Sequence, residues 1–312
     1  MIQRLALEAR RWQIPKSWRN LSWQSIFAAV VYPLLGLIGF AAALAVGFGY
    51  SNIHIYWWYL PLALGAAALC LFLCNQGIGP LHRIWQHRAG QLKAPVQFLI
   101  GLNCILAMQG KIRDWVNYHA QHHRYSDGPG DPHNPAEGRL WAWIGWVIWR
   151  DPEDLRRPMV HWLKNNRIVG FADRYHVPLS LTVHVGVPLS FYLLVWALGG
   201  PLILVLLVHT ATIIGRGVHF HATTLGVNVV GHVKAPKWLT WTLAVLTGGE
   251  ALHTHHHAYP KSILHLPQKG LLNRLVDYNG TILLVLGKLG LAGDFHIAPQ
   301  FLAKQKPVEF GR

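Results

Sequence analysis

Residues 25–49 read SIFAAVVYPLLGLIGFAAALAVGFG, with no charged side chain anywhere in the run. A stretch this long and apolar matches the roughly 20 residues a helix needs to cross a bilayer. A secretory signal core is shorter and begins nearer the N-terminus, so the run is expected to remain as an anchor. An uncharged loop, YSNIHIY at 50–56, leads into a second apolar run at about 56–74. A third covers 178–199 and, after the Gly199-Gly200-Pro201 break, a fourth covers 201–220. The expected fold is all-α and integral to a membrane, with four transmembrane helices in two hairpins and a helical cytosolic cap.

Charge supports that topology. Lys and Arg number 28 against 13 acids, a formal net charge of +15. In a soluble chain this would point to nucleic acid. Here no cation occurs between Arg19 and Arg83 or between Arg174 and Arg216. The cations are expected outside the apolar blocks, on the cytoplasmic face, with membrane lipid and not nucleic acid as the partner. Both termini then lie in the cytoplasm, most simply at a cell inner membrane. Residues 1–24 are basic and carry Trp12, Trp18 and Trp23, as an interfacial segment does. The run 94–108 is apolar but too short to span, and suits an interfacial or re-entrant helix. Arg150, Arg156, Arg157 and Lys164 are expected to face anionic headgroups or an acidic electron donor. Cys70, Cys74 and Cys104 have no metal-ligand spacing and read as core thiols.

Histidines carry the chemistry. They cluster as His82-x4-His87, as His119-x2-His122-His123 and as His253-x2-His256-His257, with His232 between the last two and Asn228 four residues before it. On a helix, positions i, i+3 and i+4 share a face, so each HxxHH aims three imidazoles one way. Imidazole binds iron, zinc, copper and nickel. Carboxylate-bridged di-iron bundles pair Glu with Glu-x-x-His; that pairing is missing, so an all-imidazole centre with more than one ion is expected. His255, between ligands at i+2, is expected to point away. His184 and His209, inside apolar runs, suit interhelical hydrogen bonds. His265 and His176 are read as carrying no role, and His133 as part of a turn.

These motifs resemble the membrane-bound fatty acid desaturases of the stearoyl-CoA type. The resemblance runs from about residue 25 to 295 and rests on HRIWQHR at 82–88, on HHRYSDGPGDPHNP at 122–135, on Gly249-Glu250 just before His253, and on Asn228-x3-His232. It implies that residues 25–312 form one desaturase domain with a di-iron site whose ligands are His82, His87, His119, His122, His123, His232, His253, His256 and His257. It implies that Asn228 holds a metal-bound water and that Asp127, Asp131 and Glu250 support the ligands from outside. Trp115, Thr224 and Leu225 would line the substrate tunnel. The chain departs from the family where Asn117-Tyr118 precede the second box, where Leu225 follows Thr224, where Val229 follows Asn228, and where Thr254-His255 stand inside the third box. Metal ligands are kept while carrier and substrate contacts change.

The activity so implied is O2-dependent: two iron ions and two electrons from an external donor would introduce a cis double bond into a long saturated acyl chain. The acyl carrier is left open between CoA, acyl carrier protein, a lipid and the free acid. No haem-binding His-Pro-Gly-Gly and no CxxC pair occurs in the sequence, so the donor is expected to be a separate ferredoxin- or cytochrome-type protein. A related fatty acyl hydroxylase, or a decarboxylase forming a terminal alkene, would use the same ligands. A membrane metal transporter or sensor is the non-enzymatic alternative, and it would place ligands along the spans.

Overall fold

The computed structural model describes residues 20–49, 55–149 and 160–302. Most of the interfacial segment expected for 1–24, and Arg150, Arg156 and Arg157, lie outside the described residues. Four helices are long and apolar enough to cross a membrane: α1 (Trp23–Gly49), α2 (Tyr59–Gln86), α7 (His176–Ala197) and α8 (Leu202–Val230). Between α2 and α7 stand α3 (Ala94–Ala107), α4 (Ile112–Tyr125), a short helix α5 over 141–148, and α6 (Arg167–Arg174). After α8 come α9 (Lys237–Leu246), α10 (His253–Ala258), α11 (Gly270–Val276), α12 (Tyr278–Lys288) and α13 (Pro299–Leu302). The all-α membrane architecture expected from the sequence holds.

Large apolar side chains point outward along the spans, among them Leu34, Leu35 and Ile38 on α1 and Leu189, Leu193 and Trp196 on α7. Exposed apolar surface on that scale requires a lipid solvent. Helix–helix packing in lipid depends on small residues that admit close backbones. A Cβ on Gly215 of α8 would sit 2.2 Å from the Ala67 carbonyl oxygen of α2, and one on Gly77 of α2 would sit 2.5 Å from the Asn103 backbone of α3. Helix α3, with 14 residues, packs on α2 and is shorter than the four candidate spans.

Two sequence expectations need correction. The helix that carries the second apolar run does not stop with that run at 74: α2 continues to Gln86 and carries His82 in its final turns. Those turns widen to an i→i+5 pattern, the His87 amide bonding the His82 carbonyl at 3.2 Å. In a regular α-helix residues five apart diverge by about 140°; here the His82 and His87 rings come to 5.0 Å. A second wide turn, Gly226–Val230, carries Asn228. Such turns recur at functional sites.

Nor do all cations lie outside the apolar blocks. Arg83 and Arg216 lie within α2 and α8 and are buried. Arg216 donates to the Ala28 carbonyl and sits 5.2 Å from the Tyr32 ring centroid, so protein and not lipid surrounds its charge.

The cap is packed around the ends of α2 and α8. One core joins Ile78, Trp85, Ile100, Val116, Val169 and Leu283 from α2, α3, α4, α6 and α12. A two-residue antiparallel ladder, Gln91 with Gly293 and Leu92 with Ala292, ties the C-terminal part back beside the first histidine pair.

Candidate metal centre

Helix α4 opens with an N-terminal pair of amides held by Asp173, whose Oδ1 accepts from Ile112 N at 2.7 Å. That anchor fixes the rotation that sends His119, His122 and His123 toward α2. Gly249, at φ +96°, turns the chain into α10; a Cβ there would meet Asp277 Oδ1 at 2.8 Å. The turn delivers His253, His256 and His257 to the same place, while His232 follows the wide turn at the end of α8.

The nine imidazoles named from the sequence fall into two groups: His82, His87, His119, His123 and His256; and His122, His232, His253 and His257. Within each group all candidate ligand atoms lie within 4.8 Å of one another. Neighbouring Nε2 atoms face each other at 3.2 Å (His87–His119), 3.0 Å (His119–His123), 3.0 Å (His123–His256), 3.1 Å (His82–His256) and 3.0 Å (His122–His257). Nitrogens bound at about 2.0–2.1 Å to one ion, at right angles, stand about 2.8–3.0 Å apart. Imidazole nitrogens packed this closely need either a shared proton or a metal ion between them. Both ring nitrogens of His253 and Nε2 of His232 are buried without a protein hydrogen-bond partner, although buried polar atoms almost always have one. The residues fit two metal ions.

Three carboxylates stand behind this cluster. Glu250 Oε2 lies 2.6 Å from His82 Nδ1, Asp131 Oδ2 lies 2.9 Å from His122 Nδ1, and Asp127 Oδ1 lies 2.9 Å from His232 Nδ1. Each accepts the Nδ1–H, which fixes the tautomer and leaves Nε2 with its lone pair toward the group. Burial holds His119, His123, His253 and His256 well below the ordinary imidazole range, and neighbouring imidazoles push them further down. Burial, then His257 and His122, lowers His87 to about 3, and burial, then His122 and His232, lowers His257 to about 3. All stay neutral and able to ligate. Burial would raise Asp131, but His133 and His122 outweigh it and keep the carboxylate charged. Burial pushes Glu250 up to about 7 against the pull of Arg83; a cation held at His82 would favour its charged form.

Arg83, His265, Asp277 and Asn279 complete the support behind Glu250. Arg83 binds Glu250 Oε1 at 2.9 Å and Asp277 Oδ1 at 2.7 Å. Asp277 also accepts from the His265 and Leu266 amides. His265 Nδ1 faces the Gly249 carbonyl at 3.0 Å, and Asn279 donates to Glu250 Oε1 at 3.0 Å. His265 therefore has a structural part that its sequence context did not reveal. Asp277 carried one usable signal, being the sole acid between residues 270 and 293.

A cavity of about 330 Å³ adjoins the first group, where His82, His119 and Glu250 form part of its wall. Trp115, Thr224 and Asn228 line it too, the Asn228 amide donating to the Ala142 carbonyl at 3.2 Å. Leu225 does not line it; one residue further round α8, it packs against the cluster of Ala222, Leu243 and Val276. His133 and His176 line the cavity, and His176 thus has a place the sequence did not indicate. His255 stacks beside Tyr259 and Phe301, away from both groups. His184 meets Tyr32 and the Ile105 carbonyl, linking helices as expected.

No protein-family model matches the chain. Among curated proteins it is 32% identical over 222 residues to the Delta-9 desaturase-like 2 protein of Arabidopsis thaliana, covering 68% of this chain and 69% of that one. It is 28% identical over 251 residues to the sn-1 stearoyl-lipid 9-desaturase of Synechocystis sp., covering 76% and 73%. To a probable acyl-CoA desaturase of Schizosaccharomyces pombe it is 27% identical over 307 residues, which is 94% of this chain but 58% of that longer protein.

Proposed function

The chain belongs to the fatty acid desaturase family, and from that premise we propose that it is a di-iron desaturase placing a cis double bond in a long saturated acyl chain. The observation that carries this reading is the five-plus-four grouping of imidazoles with a cavity ending on His82 and His119. Two bound irons would supply the oxidant that removes two hydrogens from adjacent methylenes, consuming O2, two electrons and two protons and releasing two waters. The protein's own part is positional. His82, His87, His119, His123 and His256 would hold one ion and His122, His232, His253 and His257 the other, and Asn228 would be the residue to support a water there. Glu250, Asp131 and Asp127 keep the Nδ1 protons in place, so no imidazole swings or protonates between turnovers. Burial of His82, His119 and Phe220 keeps bulk water from the reacting carbons.

Electrons come from a separate acidic carrier. His87, His123 and His257 form the partly exposed edge of the centre, their rings 4.5 and 4.4 Å apart in sequence, and exposed Arg88 and Arg124 adjoin the first two. We place this edge and both termini on the cytoplasmic side of an inner membrane. The test is reaction of the metal-loaded protein with O2, a reduced acidic ferredoxin and deuterated stearoyl substrates, with the product's double bond mapped by mass spectrometry. Monoene formation requiring both O2 and iron supports the reading; hydroxylated or decarboxylated product, or metal flux without lipid change, overturns it.

A further inference from the structure

The cavity opens where the spans begin. Its exposed lining residues are Gln24, Lys111 and Val177. Gln24 is the second residue of α1 and Val177 the second of α7, while Lys111 caps α4 just beyond the interfacial helix α3. Helices α1 and α7 meet at Tyr32 and His184, with ring centroids 5.5 Å apart. That contact lies about two turns past the opening on each helix, roughly 11–12 Å along the axis. The mouth is therefore a gap between two lipid-facing helices at the membrane boundary. Its surroundings are apolar and exposed: Trp23, Phe27, Phe171 and Val177. Trp at this depth marks the headgroup level, and the Lys111 cation is placed to meet a lipid phosphate there. Asp114 lines the cavity beside Lys111, and the buried part of the wall is shared by Ile78 and Phe220 with His82 and His119, Trp115 being half-buried between.

We propose that the substrate is an acyl chain still esterified to a membrane phospholipid, drawn sideways from the bilayer between α1 and α7 while its phosphate stays at Lys111. This rests on the desaturation reading for its chemistry but not for its route. A chain entering at this level passes from lipid into the cavity without crossing bulk water, which lowers the solvation cost of reaching the imidazoles. The headgroup, held at the boundary, would also fix how far the chain reaches toward the imidazoles.

The experiment uses the metal-loaded full chain in nanodiscs of phosphatidylcholine with deuterated stearoyl chains, beside nanodiscs of short-chain lipid supplied with deuterated stearoyl-CoA or deuterated stearic acid. Loss of two deuterium atoms is expected in the phospholipid pool at a rate at least about tenfold above the thioester and free-acid pools. Faster turnover of either of those pools overturns the proposal. In parallel, phosphatidylcholine carrying a mid-chain diazirine is photolysed in the same discs. Labelling is expected on peptides containing Ile78, Trp115 or Phe220, and is expected to fall several-fold in Val177→Trp. Labelling confined to outward residues such as Leu189 and Leu193 overturns the route. Should the cavity wall label while no pool is turned over, the route stands and the desaturation reading fails.

Discussion

Replacing Glu250 by Gln separates the two ions. Gln keeps an oxygen that can accept the His82 Nδ1 proton, now 2.6 Å from Glu250 Oε2, so the tautomer survives and only the charge is lost. Arg83 retains Asp277 at 2.7 Å, so the buried guanidinium is not left alone. Loss of an outer carboxylate partner weakens a histidine metal site by about 10–100-fold, about 1.4–2.7 kcal/mol. His82 belongs to the group of five, and Glu250 makes no hydrogen bond to the group of four. Anaerobic titration of the metal-free protein with Fe2+ or Co2+ should therefore show one weakened and one unchanged binding constant in Glu250→Gln. Asp131→Asn, acting on His122 at 2.9 Å, should weaken the other constant. Elemental analysis after dilution should find about one ion retained per chain in each variant. If both constants move together in either variant, or neither moves, the assignment of carboxylates to separate ions is wrong.

Other substitutions test the support. Gly231→Ala places a Cβ 2.4 Å from His253 Cβ; it should destabilise the fold by about 1–3 kcal/mol, read from thermal unfolding, and lower metal content. Asp277→Asn leaves Arg83 with Glu250 as its one buried carboxylate and weakens the acceptor of the His265 and Leu266 amides; it should cost about 1–3 kcal/mol, with full-length protein reduced in the membrane fraction as the check. His87 and His257 are lowered in the fold to about 3. The unfolded chain binds protons that the fold does not, so stability of the metal-free protein should be full above about pH 6.5 and fall as pH drops from there toward about 3; thermal midpoints across that window check the sign. Arg88→Glu with Arg124→Glu should slow stopped-flow reduction by an acidic ferredoxin by about tenfold at low salt and flatten its salt dependence, with reduction by a basic carrier not slowed.

Much of this was legible because lipid and metal impose strict sequence rules. Uncharged runs of span length admit few readings, and HxxHH on a helix admits one direction for three rings. The limits of α2 were not legible in the same way. The apolar run ends near Cys74, yet the helix continues because Asn75 finds the Tyr278 hydroxyl at 2.7 Å and Gln76 finds Asn279 at 2.8 Å. Tertiary partners for those polar groups come from some 200 residues away, beyond any local pattern. Arg216 was hidden likewise: its solvation is supplied by Ala28 and Tyr32 on another helix. His265 and Asp277 matter through Arg83, and no spacing rule links residues 83, 265 and 277.

The order of residues within each histidine box also sets which side of the centre faces the cavity and which faces the surface. In the second box His119 and His122 are buried and His123 is partly exposed; in the third, His253 and His256 are buried and His257 is partly exposed. The first pair repeats the gradient, with His82 buried and His87 partly exposed. The last imidazole of each box thus reaches the rim, while the first lies deep; His82 and His119 also wall the cavity. Electron delivery needs a short path from the surface, and hydrogen removal from an unactivated chain needs a dry pocket. A single helical turn in each box separates the two requirements. Moving the rim histidine outward by one position, as in a His257→Ala, Ala258→His pair, would disturb that order along with the ligand geometry, whereas His255→Ala, outside both groups, should leave metal content intact.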